Sequence, residues 1–552
     1  MRSSFLSVLL CGLLFLSPKI QAQTASLAPK ALTAEQWRED LRFVAKELRT
    51  RHANLYHEVS KAELDAAIAS LDARIPQMKR NQIIVEMMRI VAMVGDGHTR
   101  IDPRKDAAFA FPSLPLKLYL FEDGLFVRAA APGHDGLVAA RVEAIGGVPV
   151  AEAIARAAKL ASRENISGPK LYVPIYLAMP DILQAIGLSD DTRAASLTLR
   201  KGSLSWTQSL AAAGVDPVWP PDTDISLVTP KGWADAHAGP PPMWLAAPLD
   251  LYRLIELPEK NAIYVQLNMV TDLKDENLTQ FGERILKRAV ATNPKAIILD
   301  LRLNTGGDGE LRNGFIKSMI RAEDVDTKLF VLTARGTFSA SQFLLDDLDR
   351  LTSAIFIGEP ASSRPTGYGD AFRAAMPNSG VNIRTSIKYW QSGQDMRDST
   401  SVDIAAPLTF ADYAAGRDPA LEAALAFQPQ PHFAVTVVTA AKASGTVGVE
   451  KAANAMLADP KLRYADRERL IVIAQSNLYR AGMHVEGIAL GKLAQVRFPR
   501  NGDIPTVMAL SAEAAGDKAQ ARASAEAALA IDPNNRQAAT VLRNLVQPET
   551  NG

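Results

Sequence analysis

Three short stretches of this chain carry residue types that can do chemistry. Gly95-Asp96-Gly97-His98-Thr99 sets a histidine, one of seven in the chain, directly behind two glycines at the end of an apolar helix pattern. Asp300 to Glu310, DLRLNTGGDGE, puts Gly306 and Gly307 just past an apolar strand. Gly336 to Asp347, GTFSASQFLLDD, places Ser339 where the strand KLFVLTA gives way to an apolar helix. A serine at a helix start has one bland role, capping. The same place suits a nucleophile, because the amides opening the helix point at developing negative charge. In that case Ser341 is the better cap. A nucleophilic serine needs a base that works near neutral pH, and histidine is the usual one. His98 is equally compatible with a buried, inert core histidine. Adjacent glycines let backbone N–H groups approach a ligand, or they make a plain strand-to-helix turn. Separation along the chain is no objection, since such groups are assembled in space.

These residues need elements to hold them. Ile84, Met87, Met88 and Val91 repeat at helical spacing and lead into Gly95. Upstream, Thr33 and Gln36 form a capping-box pattern ahead of Trp37, Leu41, Val44 and Leu48. Another helix carries Leu64, Ile68, Leu71 and Ile75. LPLKLYLFEDGLFVRAA predicts a hairpin about Asp123-Gly124, and ARVEAIGGVPVAEAIARA predicts a strand, a Gly146-Gly147 turn, a strand and a helix. The proline-rich residues 215–245 read as a linker or irregular cover. From 261 to 430, NAIYVQLNMV, KAIILDLRLN, KLFVLTA and AIFIGE read as strands, with FGERILKRAVAT and SQFLLDDLDRL as helices. That alternation argues an α/β layer with crossover connections. In the tail, Gly482 and Gly516 are 34 residues apart, as are Pro499 and Pro533, which is the tetratricopeptide period.

The 552 residues suffice for three or four domains. Lys plus Arg number 61 against 60 Asp plus Glu, so no basic excess points to nucleic acid. Arg2, the apolar run Phe5 to Leu16 and Ile20-Gln21-Ala22 predict a signal peptide over 1–22, whose apolar run is itself too short to span a membrane. A periplasmic or secreted location follows, without stable membrane insertion. The single cysteine, Cys11, lies in that leader. The expected mature chain therefore excludes disulfides, thiolate catalysis and Cys-type zinc sites, and no cofactor or metal is expected. DLRLNTGGDGE has neither the Gly-x-Gly-x-x-Gly nor the Gly-Lys-Ser/Thr pattern, which excludes Rossmann and P-loop readings.

Taken in order, the three stretches resemble the tail-specific (C-terminal processing) serine peptidases, in particular the bacterial branch related to the tricorn core. Gly95 to Thr99 matches the Gly-Asp-Gly-His-Thr end of a helical unit. FEDGLFV and ARVEAIGGVPV match a PDZ-like segment. Asp300 to Gly307 matches an Asp-Leu-Arg-x-Asn-x-Gly-Gly strand end, Ser339 to Ser341 a Ser-Ala-Ser motif, and Gly358 to Pro360 a Gly-Glu-Pro turn. Asp403-Ile404 and Asp418 to Glu422 match the closing strand and helix start. The resemblance implies a multidomain α/β protein. Its parts would be a helical unit over 31–105, a PDZ-like segment over 106–205, a linker or cover over 206–255, a crotonase-like layered core over 256–430 and tetratricopeptide-like repeats over 431–552. It implies Ser339 as nucleophile, His98 as general base, and an oxyanion hole from the Ala340 amide with that of Gly306 or Gly307. Arg364 stands where dyad members of the family keep a lysine, and an arginine cannot serve as a base. Asp395 and Asp403 lie in the segment where the family keeps an acidic partner. The implied activity is peptide-bond hydrolysis through an acyl-enzyme, on a peptide or protein substrate. A relict scaffold binding protein partners through its PDZ-like and repeat segments is the other reading.

Overall fold

The computed structural model describes residues 31–546 apart from 104, 105, 214–226, 325, 392 and 394. The expected leader and the VWPPDTD stretch of the cover lie outside the described residues. The protein is a multidomain α/β molecule with many helices and several sheets.

Its central sheet has six strands, in the order Ile404–Ala405, Ile355–Gly358, Lys328–Thr333, Ala296–Asp300, Ala262–Leu267 and Tyr252–Leu257. All neighbours are parallel except the last pair. Apolar residues fill both faces, as a parallel sheet requires. On one face Val265, Leu299 and Val331 meet Phe281, Ile285, Phe315 and Leu344 from the helices Leu278–Thr292, Arg312–Ala322 and Ala340–Leu351. On the other, Tyr264, Ile298 and Phe330 meet Ala420 and Leu421 of the helix Pro419–Leu425. Parallel strands end on the same edge, so the loops after Leu267, Asp300, Thr333 and Gly358 converge, the usual place for a site in such sheets.

A buried ionic cluster locks this layer. Arg302 donates from Nη1 and Nη2 to Asp418 at 2.8 Å each and pairs with Asp300 at 2.5 Å, while Tyr264 donates to Asp300. The guanidinium lies 4.2 Å from the Trp244 ring. Removing one partner from such a cluster strands the others, so Arg302→Ala should lower the core's stability by about 3–5 kcal/mol. A urea melt followed by far-UV circular dichroism checks this, and a loss under about 1 kcal/mol would contradict it.

The helices Ala34–Arg51, Lys61–Arg74 and Arg80–Ala92 share one continuous hydrophobic core with the sheet that follows, whose strands include Leu116–Phe121, Gly124–Ala130 and Arg141–Ile145. Thr33 and Gln36 make the expected reciprocal cap. The hairpin turns on Glu122 and Asp123, one residue earlier than read, because Phe121 already pairs with Gly124. The helix Ser167–Tyr176 and the long hairpin Thr366–Ala375/Asn382–Gln391 were not anticipated. The hairpin strand Asn382–Gln391 reaches back to the loops that follow the N-terminal helices, through the bridge Arg100 to Arg384 and the bond from Ala53 N–H to the Ser386 carbonyl. Downstream, the helical segment Phe433–Ala458, broken at Ser444 and Gly445, and the helices Arg467–Arg480, His484–Arg497, Asp503–Ala514, Lys518–Ile531 and Arg536–Val546 have apolar clusters of their own. Among the described residues no helix is long and apolar enough to cross a membrane.

Candidate active site

Ser339 stands between the strand Lys328–Thr333 and the helix Ala340–Leu351, with φ 59° and ψ −125°. A non-glycine residue adopts that backbone only under strain, and such strain gathers where geometry matters. The serine makes no side-chain cap to its helix. Its N–H instead donates to Ser363 Oγ at 2.9 Å. Ser341 is not the cap either. It lies inside the first turn, fully buried, and its hydroxyl has no partner among the described residues.

The Ser339 hydroxyl meets His98 Nε2 at 2.9 Å, across 241 residues of chain. His98 is positioned from behind by Asp96, which is almost wholly buried. Asp96 Oδ1 accepts from the N–H groups of His98 and Thr99, at 2.8 and 2.7 Å, and from the Ser386 hydroxyl. Its Oδ2 meets His52 Nε2 at 2.8 Å. Because His52 Nδ1 accepts from Asn54 N–H, its Nε2 carries the proton and donates to the carboxylate. Burial alone would raise this carboxyl, but the bonds from His52, Thr99 and Ser386 outweigh it and hold the group down at about 2. The His98 loop is thus pinned to a charge that persists at any working pH. Gly97 serves close approach: a Cβ there would lie 2.7 Å from the Phe338 ring, which stacks on the imidazole at 4.4 Å.

On the far side of the ring, His98 Nδ1 lies 3.5 Å from Glu164 Oε1. Glu164 is buried, and its other oxygen accepts from Arg364 N–H at 2.8 Å. The sequence reading did not find this carboxylate. It sits between two helices of the segment that follows the Gly146-Gly147 turn, in no motif. The two acids named from sequence are engaged elsewhere. Asp395 is chelated by Arg397 at 2.9 and 3.0 Å, and Asp403 accepts from Phe356 N–H at 2.9 Å. Neither lines the cavity that holds Ser339 and His98. The Arg364 guanidinium does line it, held by Glu58 at 2.9 Å and Asp398 at 3.1 Å.

Gly306 and Gly307 come up against Ser339, and a Cβ on Gly306 would lie 2.7 Å from the Ser339 Cβ. Their φ values are 112° and 134°, and a Cβ on Gly307 would strike the Val270 carbonyl at 2.0 Å. The Gly306 N–H is committed to Asn304 Oδ1 at 3.0 Å. Asn304 also donates to the Leu267 carbonyl and accepts from Phe338 N–H, tying the glycine turn to the serine turn. Among the described residues the N–H groups of Gly307 and Ala340 are engaged in no such bond, and both residues line the cavity. The arrangement is therefore a hydroxyl beside an imidazole, a carboxylate behind the imidazole, and two unspent amides opposite. It can pass a proton from serine to histidine and receive negative charge on an oxygen. Among the described residues no cluster of histidine, aspartate or glutamate is arranged to hold a metal.

No protein-family model matches the chain, and no curated protein matches it. Solved structures do align with it. Mature CPAF complexed with lactacystin covers 70% of this chain and 96% of its own, at 12% identity and a TM-score of 0.48. The photosystem II D1 C-terminal processing protease covers 69% and 94%, at 17% identity and a TM-score of 0.32. The tricorn protease covers 72% of this chain and 36% of its own, at 14% identity and a TM-score of 0.31.

Proposed function

We propose that the protein is a serine peptidase, with Ser339 as nucleophile, His98 as general base and Glu164 as the acid that orients it. The observation carrying this reading is the 2.9 Å contact of Ser339 Oγ with His98 Nε2, made by a serine held in strained backbone beside two unspent amides. Ser339 attacks the peptide carbonyl while His98 takes its proton. The carbonyl oxygen, now negative, is received by the Gly307 and Ala340 amides. His98 returns the proton to the leaving amine, and water then hydrolyses the acyl-enzyme by the same steps in reverse order. With Nε2 accepting from the serine, the imidazole proton sits on Nδ1, facing Glu164. A separation of 3.5 Å is long for a hydrogen bond, and such contacts commonly shorten when substrate binds. A fluorophosphonate probe tests the reading: it should label the wild-type chain at Ser339. An unlabelled, folded chain would favour a relict scaffold.

The export expected from the leader, the PDZ-like reading of the segment after residue 106 and the repeat reading of the tail belong to the same proposal. In it the sheet segment holds a peptide by strand addition and the tail chooses protein partners. The tail's separate apolar clusters support its independence. It meets the rest of the protein through polar contacts, among them Val402 N–H to the Tyr464 carbonyl and Arg463 to Glu122 at 2.7 Å. A chain ending at residue 430 should keep kcat/KM for a short peptide within about 3-fold of the full chain, a change worth under 1 kcal/mol. Loss of turnover with the core still folded would reject this division of labour.

A further inference from the structure

The cavity at Ser339, about 590 Å³, contains one aromatic slot that the chemistry above does not use. Phe343 lies on the first turn of the helix that Ser339 precedes, three residues past Ala340 and so on the same helix face. Trp390 comes from the hairpin strand Asn382–Gln391, and the two rings stand 5.3 Å apart. Met269 and Val270 line the same cavity. Val270 flanks the glycine turn directly: its N–H donates to the Gly306 carbonyl and its carbonyl accepts from Asp308 N–H. The slot thus adjoins the two amides that would hold the carbonyl oxygen. The side chain nearest that oxygen belongs to the residue that forms the ester.

The charges around the slot point the same way. Lys388 lies 5.1 Å from the Trp390 ring and Arg312 5.3 Å from the Phe343 ring, but both cations are spent. Lys388 pairs with Asp370 at 2.6 Å and Arg312 with Asp347 at 2.8 Å. Asp308 and Glu310 line the cavity, exposed and without an ion pair among the described residues. Arg364, the other cation lining the cavity, is paired with Glu58 and Asp398, so among the described residues each lining cation already has a carboxylate, while two further carboxylates repel an acidic side chain. The ring is also fixed, since a Cβ on Gly309 would meet Phe343 at 2.5 Å. Resting on the peptidase reading, we propose that Phe343 and Trp390 form the pocket for the acyl-side residue of the substrate and select a large apolar side chain over an acidic one.

The test uses the full chain and two peptidyl phosphonates that differ only in the residue next to phosphorus, leucine or aspartate. The readout is the ratio of their labelling rates, which is insensitive to the fraction of active protein. Wild type should prefer leucine by roughly 100-fold, and Phe343→Ala and Trp390→Ala should each cut that ratio by about 10-fold, the scale of a pocket contact to an apolar side chain. Should either alanine variant fail to fold, Phe343→Leu and Trp390→Tyr decide by a smaller change in the same direction. A wild-type ratio near one, or a ratio unmoved in the folded variants, overturns the proposal. A chain that neither phosphonate nor a small fluorophosphonate labels overturns it differently, because the peptidase reading has then failed first.

Discussion

Ser339→Ala should abolish the peptide hydrolysis proposed for this chain, a fall of about 10⁴-fold or more, while the folded chain keeps its stability within about 1 kcal/mol. The two halves of this expectation have different physical causes. Turnover depends on one oxygen, for which the described cavity offers no substitute beside His98. Stability scarcely depends on it, because among the described residues that oxygen meets only His98, and the backbone of residue 339 is held by its N–H bond to Ser363. Ser339→Gly sharpens the point. At φ 59° and ψ −125° a serine pays for its Cβ and a glycine does not, so the glycine variant should be inactive yet no less stable than wild type. Steady-state kinetics on a fluorogenic peptide, with urea melts of the three proteins, measures both. A stable, active Ser339→Ala would remove the nucleophile from this account. A glycine variant destabilised by several kcal/mol would mean that the serine is there for structure.

The residues that carry one-dimensional signals are legible in the sequence alone. Alternation of apolar strands with periodic helices is a property of adjacent residues, so the parallel strands Ala262–Leu267, Ala296–Asp300, Lys328–Thr333 and Ile355–Gly358 could be read directly. His98 and Ser339 each sit at an abrupt element boundary, which marks them locally although 241 residues separate them. Glu164 has no such mark. Nothing in Arg163-Glu164-Asn165 separates it from any solvated acid until the fold buries it and turns Arg364 N–H onto its second oxygen. Asp395 and Asp403, named from sequence, lie away from the cavity, where Arg397 and the Phe356 amide engage them, partners that the folded chain supplies. Gly306 and Gly307 differ through the Asn304 side chain, which accepts from the Gly306 N–H, a bond that spans two residues but whose direction only the folded turn fixes. The strand Asn382–Gln391 pairs along its length with Thr366–Ala375 and adds bonds to Ala53, Thr99 and Arg100 in the loops after the N-terminal helices, long-range contacts that no local pattern marks.

The choice of base and acid is decided by what replaces each of them. His98→Ala should cost nearly as much as Ser339→Ala, since members of one catalytic unit lose activity non-additively. Glu164→Gln keeps the volume and an acceptor for Arg364 N–H, but loses the charge that faces Nδ1 and the fixed tautomer. It should lower kcat by about 10²-fold with KM little changed, because the loss is felt when the imidazole becomes cationic. Asp395→Asn and Asp403→Asn leave that charge in place and should stay within about 3-fold of wild type in kcat. Arg364→Lys discriminates further. The arginine reaches Glu58 and Asp398 with two nitrogens, and a lysine can keep one such pair, so little activity should be lost if His98 is the base. A site descended from a serine–lysine dyad would respond oppositely: the new lysine, its proton loosened by burial, would raise activity and restore some of it to His98→Ala. The pH profile separates the two outcomes. An imidazole base must be neutral to act, so kcat/KM falls on the acid side as the imidazole takes up its proton, and a lysine base moves that limb to higher pH. Full activity in His98→Ala, or a Glu164→Gln enzyme indistinguishable from wild type in kcat while Asp395→Asn is dead, would redraw the site around a different proton path.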